Sequence, residues 1–369
     1  MNIVIADCFD TWEHRVDLIY KVLKEEGHQV TCLLSDYRHI DKTRRTEKKR
    51  DTIFFTAEPY KKNISPARVH SHGQLSKDIF TWVEDHKSVI DILWVLAPPN
   101  SFIYDAARVK QKWPKMHLII DIIDLWPETM PVGRLKYLPF FYVWRLLRDH
   151  NLRVANVVVT ECNLFKEVLG RKSDGIKVET LYLARENRGY EPNLCLPNDK
   201  LALCYLGSIN NIIDIAAIGQ IIRECRKQNP VIFHIIGDGE KKKELLKVAE
   251  DSGAKVIDHG KIYNQEEKKG IFDSCHYGLN IMKPSVCVGL TMKSIDYFEF
   301  GLPIINNIKG DTWEAIEKYD CGVNLGKKKL HLSVEENSNQ RLNSRHFFEK
   351  YLTLEIAKDK IHTILKDIR

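Results

Sequence analysis

Leu201-Ala202-Leu203-Cys204-Tyr205-Leu206-Gly207-Ser208 reads as a buried strand running into a glycine turn, and it is the second such opening in the chain. The first is Met1-Asn2-Ile3-Val4-Ile5-Ala6-Asp7. Between them, the stretch 185–200 is polar, carries Pro192 and Pro197 and has no hydrophobic period, so it reads as a linker. After it the pattern predicts strands at 201–206, 231–236, 256–257, 277–282 and 303–306. Helices at 212–227, 240–251, 265–272 and 292–300 fill the gaps. Before it, strands are expected near 3–6, 30–34, 53–55, 92–96, 118–121 and 157–160, with helices at 12–26, 74–86 and 102–112.

Several of these strands are apolar throughout, as in Val157-Val158-Val159, which suits parallel strands covered on both faces. Strands and helices in alternation make a doubly wound sheet. The expected fold is therefore α/β, with two doubly wound, Rossmann-like parallel-sheet domains facing a cleft. They span 1–185 and 186–345, and a last helix over 346–369 crosses back to the first. Such folds bind ligands at the carboxyl ends of their strands.

The composition agrees. A chain of 369 residues, 44% hydrophobic and 29% charged, is globular and long enough for two cores of ~150–190 residues. No secretion signal and no run of ~18–20 apolar residues is seen. The nine cysteines are scattered, with no CxxC pair, which predicts reduced thiols and a cytoplasmic protein. The net charge of +6 is uneven: Arg38, Lys42, Arg44, Arg45, Lys48, Lys49 and Arg50 face only Asp41 and Glu47 within their stretch. That run is either a solvated loop or a peripheral contact with anionic lipid on the inner face of the cell membrane. It lacks the interleaved aromatics that stack bases, so no nucleic-acid partner is expected.

Chemistry is expected where strands hand over to helices. Gly207-Ser208 ends one strand and Ile236-Gly237-Asp238-Gly239 another; glycine lets backbone approach a ligand, and free N–H groups at a helix start suit phosphate. Lone glycine turns are also ordinary βα geometry, and the third glycine of a dinucleotide fingerprint is missing. The sharpest stretch runs from Met282 to Pro303. Its Lys293 falls in the first turn of a helix, where a cation opposes the helix dipole, so an anion is expected beside it. Asp296, three residues on, could accept ribose hydroxyls; a solvent-facing Lys–Asp pair is the plainer reading.

Taken in order, these segments resemble the donor-binding domain of the retaining family-4 glycosyltransferases of the GT-B fold. Val256-Ile257-Asp258-His259-Gly260-Lys261 and Lys293-Ser294-Ile295-Asp296-Tyr297 followed by Gly301-Leu302-Pro303 complete the likeness, over roughly 201–325. The resemblance implies donor binding by Gly207, Ser208, Gly237, Gly239, Lys283, Thr291, Lys293 and Asp296. It implies a retaining hexosyltransferase without metal or cofactor, using a nucleotide-sugar, UDP-sugar first. Two departures stand out: the first of the family's paired glutamates aligns with Val288, and its basic pair is replaced by Ile209-Asn210-Asn211.

In the first domain, Asp124-Leu125-Trp126-Pro127-Glu128 is similar to a segment of the family members that build capsule, O-antigen or exopolysaccharide units. Carboxylates and an indole at a strand end suit sugar recognition, although a buried Trp126 with Asp124 capping a turn fits equally. Asp124 and Glu128 are expected to be catalytic, together with His72, which precedes a helix opening at Gly73. Trp126 and Asn100 are expected to bind the acceptor, a glycan or a lipid-diphosphate-linked sugar. The aromatic and arginine-rich stretch 137–148 is a core helix or an interfacial one. Two other readings stay open: a non-catalytic glycosyltransferase-like subunit, suggested by Val288, and a nucleotide-sugar 2-epimerase.

Overall fold

The apolar runs become the central strands of two parallel sheets. The computed structural model describes residues 1–130, 133, 138–326, 332 and 337–368. Contacts divide it into two units, Met1–Leu183 joined by the segment from Ala357 onward, and Ala184–Ile356. Among the described residues no helix is long and apolar enough to cross a membrane.

The first unit runs β1 (Asn2–Asp7), α1 (Glu13–Glu25), β2 (Gln29–Ser35), the short antiparallel pair β3 (Tyr37–Arg38) and β4 (Thr43–Arg44), and β5 (Thr52–Phe55). It continues with α2 (Pro66–His86), β6 (Ile92–Ala97), α3 (Asn100–Lys112), β7 (His117–Ile122), α4 (Pro139–Asn151), β8 (Val157–Thr160), α5 (Asn163–Leu169) and β9 (Lys177–Thr180). The sheet order is β5-β2-β1-β6-β7-β8-β9, with every pairing parallel. Every residue of β6 and β8 is buried, which is why those strands read as unbroken apolar runs.

The second unit holds β10 (Leu201–Leu206), α6 (Ile215–Arg226), β11 (Val231–Ile236), α7 (Lys242–Asp251), β12 (Ala254–Gly260), α8 (Gln265–Asp273) and β13 (Tyr277–Asn280). Then come α9 (Met292–Glu299), β14 (Ile304–Asn306), α10 (Asp311–Tyr319), β15 (Gly322–Asn324), α11 (Asn337–Tyr351) and α12 (Leu354–Lys366). Its sheet is parallel throughout, in the order β12-β11-β10-β13-β14-β15. In each sheet the chain builds outward on one side of the opening strand and then on the other. The strand order therefore reverses at β1/β6 and at β10/β13, the places where open α/β sheets leave a crevice.

Two of the helix boundaries differ markedly from expectation. Helix α2 starts at Pro66, eight residues before the predicted start, because the Ser65 hydroxyl caps the Arg68 N–H and Pro66 fits the first turn. His72 therefore lies inside a helix and not before one. The predicted last helix is two: α11 packs on α9 in the second unit, while α12 carries the chain into the first. Arg369, at the end of the predicted helix, lies outside the described residues, as does Tyr137 of the aromatic stretch. The pair α10 and β15 had no sequence signal that was read.

Candidate functional site

In the second unit, the reversal at β10/β13 brings α9 over the glycine turn that ends β10. Thr291 is the cap of α9: its hydroxyl accepts the Ser294 N–H at 3.1 Å and donates to the Asn280 side chain at 3.1 Å. One turn in, the Lys293 side chain is only 9% exposed. Its ammonium donates to the Tyr205 hydroxyl at 3.1 Å and lies 4.2 Å from the centre of that ring. The Tyr205 hydroxyl in turn donates to the Ser208 carbonyl at 2.9 Å. Burial, with no carboxylate to offset it, pushes the Lys293 pKa down to about 7. A Cβ built on Gly207 would sit 3.9 Å from Lys293 Cε, so the side chain runs directly along the turn.

The anchor beneath is Tyr297. Its hydroxyl accepts the Leu206 N–H at 2.8 Å, and its ring fills the space a side chain on Gly278 would need, at 2.8 Å. Lys293 and Gly207 are thus held together by a core tyrosine on the same helix.

Gly237 and Gly239 have an architectural reason. A Cβ on Gly237 would lie 2.0 Å from the Gly207 carbonyl, and one on Gly239 2.2 Å from the Ile209 carbonyl. The two turns are sewn together by Gly207 N–H to Ile236 O and Ile209 N–H to Asp238 O, both 2.9 Å. Only glycine allows that approach. Asp296, expected to meet ribose, stands between Lys268 at 3.4 Å and Arg185 at 3.8 Å, two cations the sequence reading missed. Lys283 is exposed on the loop before α9, its N–H held by the Ile212 carbonyl at 2.9 Å, and Ser208 is exposed at the turn. At the end of β12, His259 stacks on His234 with rings 5.3 Å apart, and Asp258 pairs with Lys242 at 2.9 Å.

In the first unit, the β1/β6 reversal carries a different set. His72 is buried, 5.0 Å from the Phe9 ring and 6.3 Å from Trp126 in a stacked arrangement, with its Nε2 3.4 Å from the Tyr60 hydroxyl. Burial, and after it the Arg68 charge, holds its pKa well below the ordinary value, so the ring is neutral at pH 7. Trp126 donates its indole N–H to Asp124 at 2.8 Å. Burial raises the Asp124 pKa. The structure thus brings His72, Asp124 and Trp126 together.

Glu128 and Asn100 each have partners within the unit. Burial opposes ionisation of Glu128, but Arg148 grips both its oxygens at 2.7 and 3.0 Å and the pKa is lowered. A carboxylate so paired is a poor proton carrier at neutral pH. Asn100 is buried and donates to the Trp126 and Trp144 carbonyls at 3.3 and 2.9 Å. It ties the backbone of the Trp126 turn to that of α4. Arg68, Tyr60 and Phe9, around His72, were not picked out from the sequence. The basic run 38–50 is largely neutralised: Arg38 meets Glu47, Arg44 meets Asp36, Arg45 meets Glu13, and Lys49 meets Asp17.

No family profile and no curated protein matches the sequence. Solved structures do match, over nearly the whole chain. Sucrose-phosphate synthase from Thermosynechococcus elongatus has a TM-score of 0.70 at 10% identity, covering 100% of this chain and 99% of its own. Anabaena HepE, solved with UDP and glucose, gives 0.62 at 11%, covering 99% of each. WaaG, described as a glycosyltransferase involved in lipopolysaccharide biosynthesis, gives 0.60 at 11%, covering 98% of this chain and 99% of its own. The chain therefore has the GT-B fold, two Rossmann-like parallel-sheet domains in one polypeptide. At such identity the likeness shows the fold and leaves the chemistry to the residues.

Proposed function

We propose that the protein is a glycosyltransferase that takes a sugar from a nucleotide donor, a UDP-sugar, held on the second unit, and passes it to a glycan or lipid-linked acceptor held on the first. The observation that carries this is Lys293, a buried ammonium with no counter-ion among the described residues, at the β10/β13 reversal beside a glycine turn. A diphosphate there would hold the ammonium charged and take the charge that develops as the sugar leaves. The HepE structure contains UDP, which agrees with a uridine donor. Retention of configuration, catalysis without metal, a part in cell-surface polysaccharide synthesis and a cytoplasmic setting belong to the same reading and rest on the motif resemblance.

A peripheral membrane contact fits α4 better than the basic run. On α4 Phe140, Tyr142 and Val143 are each more than half exposed, with Leu138 and Leu146 beside them, whereas the cations of the run already have partners. The non-catalytic reading keeps one observation in its favour, Val288 in place of a family acid.

Calorimetry of UDP and UDP-glucose binding tests the proposal. Wild type binds, and Lys293→Ala binds at least tenfold more weakly in a folded protein, as loss of a charge-assisted contact predicts. Equal affinity in the two would remove the donor assignment. Nucleotide release from a panel of UDP-, GDP- and dTDP-sugars, with and without a membrane lipid extract, separates an active transferase from a subunit that only binds.

A further inference from the structure

A cavity of about 580 Å³ opens in the first unit between the start of α2, the Trp126 turn and α4. Its wall is mostly apolar, built on Ile64, Val69, Trp126, Met130, Phe140 and Trp144, with a smaller polar share from Asn63, Ser65, His70 and His72. Trp126 and Trp144 are 5.5 Å apart, and both backbones are fixed by Asn100. An aliphatic chain would find continuous contact along the apolar part of such walls.

Against this apolar lining stands one charge, Arg68, which lines the cavity and is 8% exposed. Its guanidinium lies 4.5 Å from the Trp126 ring centre and 5.4 Å from that of Phe9. One amino group donates to the Asn63 carbonyl, and Nε has no hydrogen-bond partner. No ion pair among the described residues includes Arg68. The Tyr60 hydroxyl, a neutral partner, interacts with it, and among carboxylates the Asp124 charge reaches it from beyond pairing distance. A buried guanidinium without a carboxylate is costly in the empty protein, and an anion would relieve it. The setting favours an anion further: Arg68 is on the first turn of the long helix α2, which has no acidic residue there. Lys42 Nζ is nearby, bound to the Asn63 side chain at 2.6 Å.

We infer that this cavity binds a phosphate carried on an apolar chain, with the phosphate on Arg68 and the chain between Trp126, Trp144 and Phe140. The exposed apolar residues of α4 continue from the cavity mouth, giving the chain a path outward. The inference deepens the transferase reading and rests on it for the acceptor's part in the reaction. Binding itself is independent of the donor site, which is in the other unit.

The test is titration of the intact protein by tryptophan fluorescence, using farnesyl phosphate below its micelle concentration, farnesol, and inorganic phosphate. Farnesyl phosphate should saturate and bind at least tenfold more tightly than farnesol, with no saturable response to phosphate alone. Arg68→Gln should erase the difference between farnesyl phosphate and farnesol. Val69→Trp, a replacement at a partly exposed position that fills the cavity, should weaken farnesyl phosphate about tenfold, and it decides the matter if Arg68→Gln does not fold. Equal binding of farnesol, equal binding of bare phosphate, or no effect of Val69→Trp would overturn the inference. So would binding to phosphatidylglycerol vesicles without binding of farnesyl phosphate, because that signals a surface response to lipid headgroups. UDP-glucose titrated into the same samples reports the donor site: its failure alone sinks the transferase reading and leaves the cavity result standing.

Discussion

The Lys293 ammonium lies 4.2 Å from the centre of the Tyr205 ring and donates to that tyrosine's hydroxyl, so this buried cation of the β10/β13 crevice rests on an aromatic ring and, among the described residues, not on an acid. An aromatic face stabilises a cation far less than a carboxylate does. The pair is therefore poised to exchange: the ammonium stays available to an incoming anion, while the hydroxyl, tied to the Ser208 carbonyl, keeps it aimed at the turn.

A pH dependence follows. The free Lys293 pKa is pushed down to about 7, and a bound diphosphate favours the charged form and raises it. Affinity for UDP-glucose should be flat below pH 7 and fall about tenfold per unit above it until the bound pKa is reached. UDP-glucose is the right ligand because its diphosphate has no ionisation in that window. Calorimetry at pH 8 in buffers of different ionisation enthalpy should show uptake of close to one proton. No uptake would mean that Lys293 does not meet the phosphates.

The ligand-free stability has the opposite trend. A lysine whose folded pKa is depressed is more protonated in the unfolded chain between pH 7 and the ordinary lysine range, so its contribution to stability rises with pH there. The slope is at most about 1.4 kcal/mol per unit. Lys293→Met should remove that rise and stabilise the protein most at or below pH 7. Urea unfolding at pH 6.5 and 8.5 measures both.

Asp7, at the end of β1, gives a second pH window. Burial raises its pKa to about 7 despite N–H bonds from Phe9 and Cys8, and its Oδ2 has no partner. A carboxyl with a raised folded pKa favours the fold below the unfolded value near 4, and that contribution is lost as pH rises through 7. Asp7→Asn, which copies the protonated acid, should therefore raise the melting temperature at pH 8 and change it little at pH 5. An equal effect at both would show that the carboxyl is not protonated in the fold.

Glycines separate by cause. Gly237→Ala, with a Cβ 2.0 Å from the Gly207 carbonyl and a φ of +147°, should cost about 3 kcal/mol or more and disturb the Gly207 turn. Gly260→Ala, at a φ of +67° with open space around it, should cost only about 1–2 kcal/mol. Similar losses in denaturant titration would contradict the crowding argument.

Arg148 tests the Trp126 turn. It is 1% exposed and pairs with the partly exposed Glu128 and the buried Asp149, so Arg148→Ala leaves those carboxylates only Arg145 and Lys172 and should cost about 3 kcal/mol. If Glu128 instead carries the chemistry, Glu128→Gln abolishes turnover in a protein of unchanged stability, and rates beside urea unfolding tell the two apart.

The sequence by itself determined the doubling of the fold, because strands buried on both faces must be apolar along their whole length, as in 157–159 and 201–206. It also exposed Lys293, since a cation in the first turn of a helix breaks a local electrostatic preference visible without coordinates. The tertiary structure decided what each polar group meets. Tyr205 and Lys293 are 88 residues apart and Arg148 and Glu128 are 20 apart. Arg68 reaches Trp126 only because α2 and the β7 turn converge. Periodicity reports which face of an element is buried, and it carries no record of the partner across the interface. For that reason the sequence holds no sign that Arg148 grips Glu128 or that Asn100 donates to the Trp126 and Trp144 backbone carbonyls. The glycines of the donor turn likewise read as a phosphate cradle, whereas the crowding that requires Gly237 comes from a carbonyl on the neighbouring strand's turn.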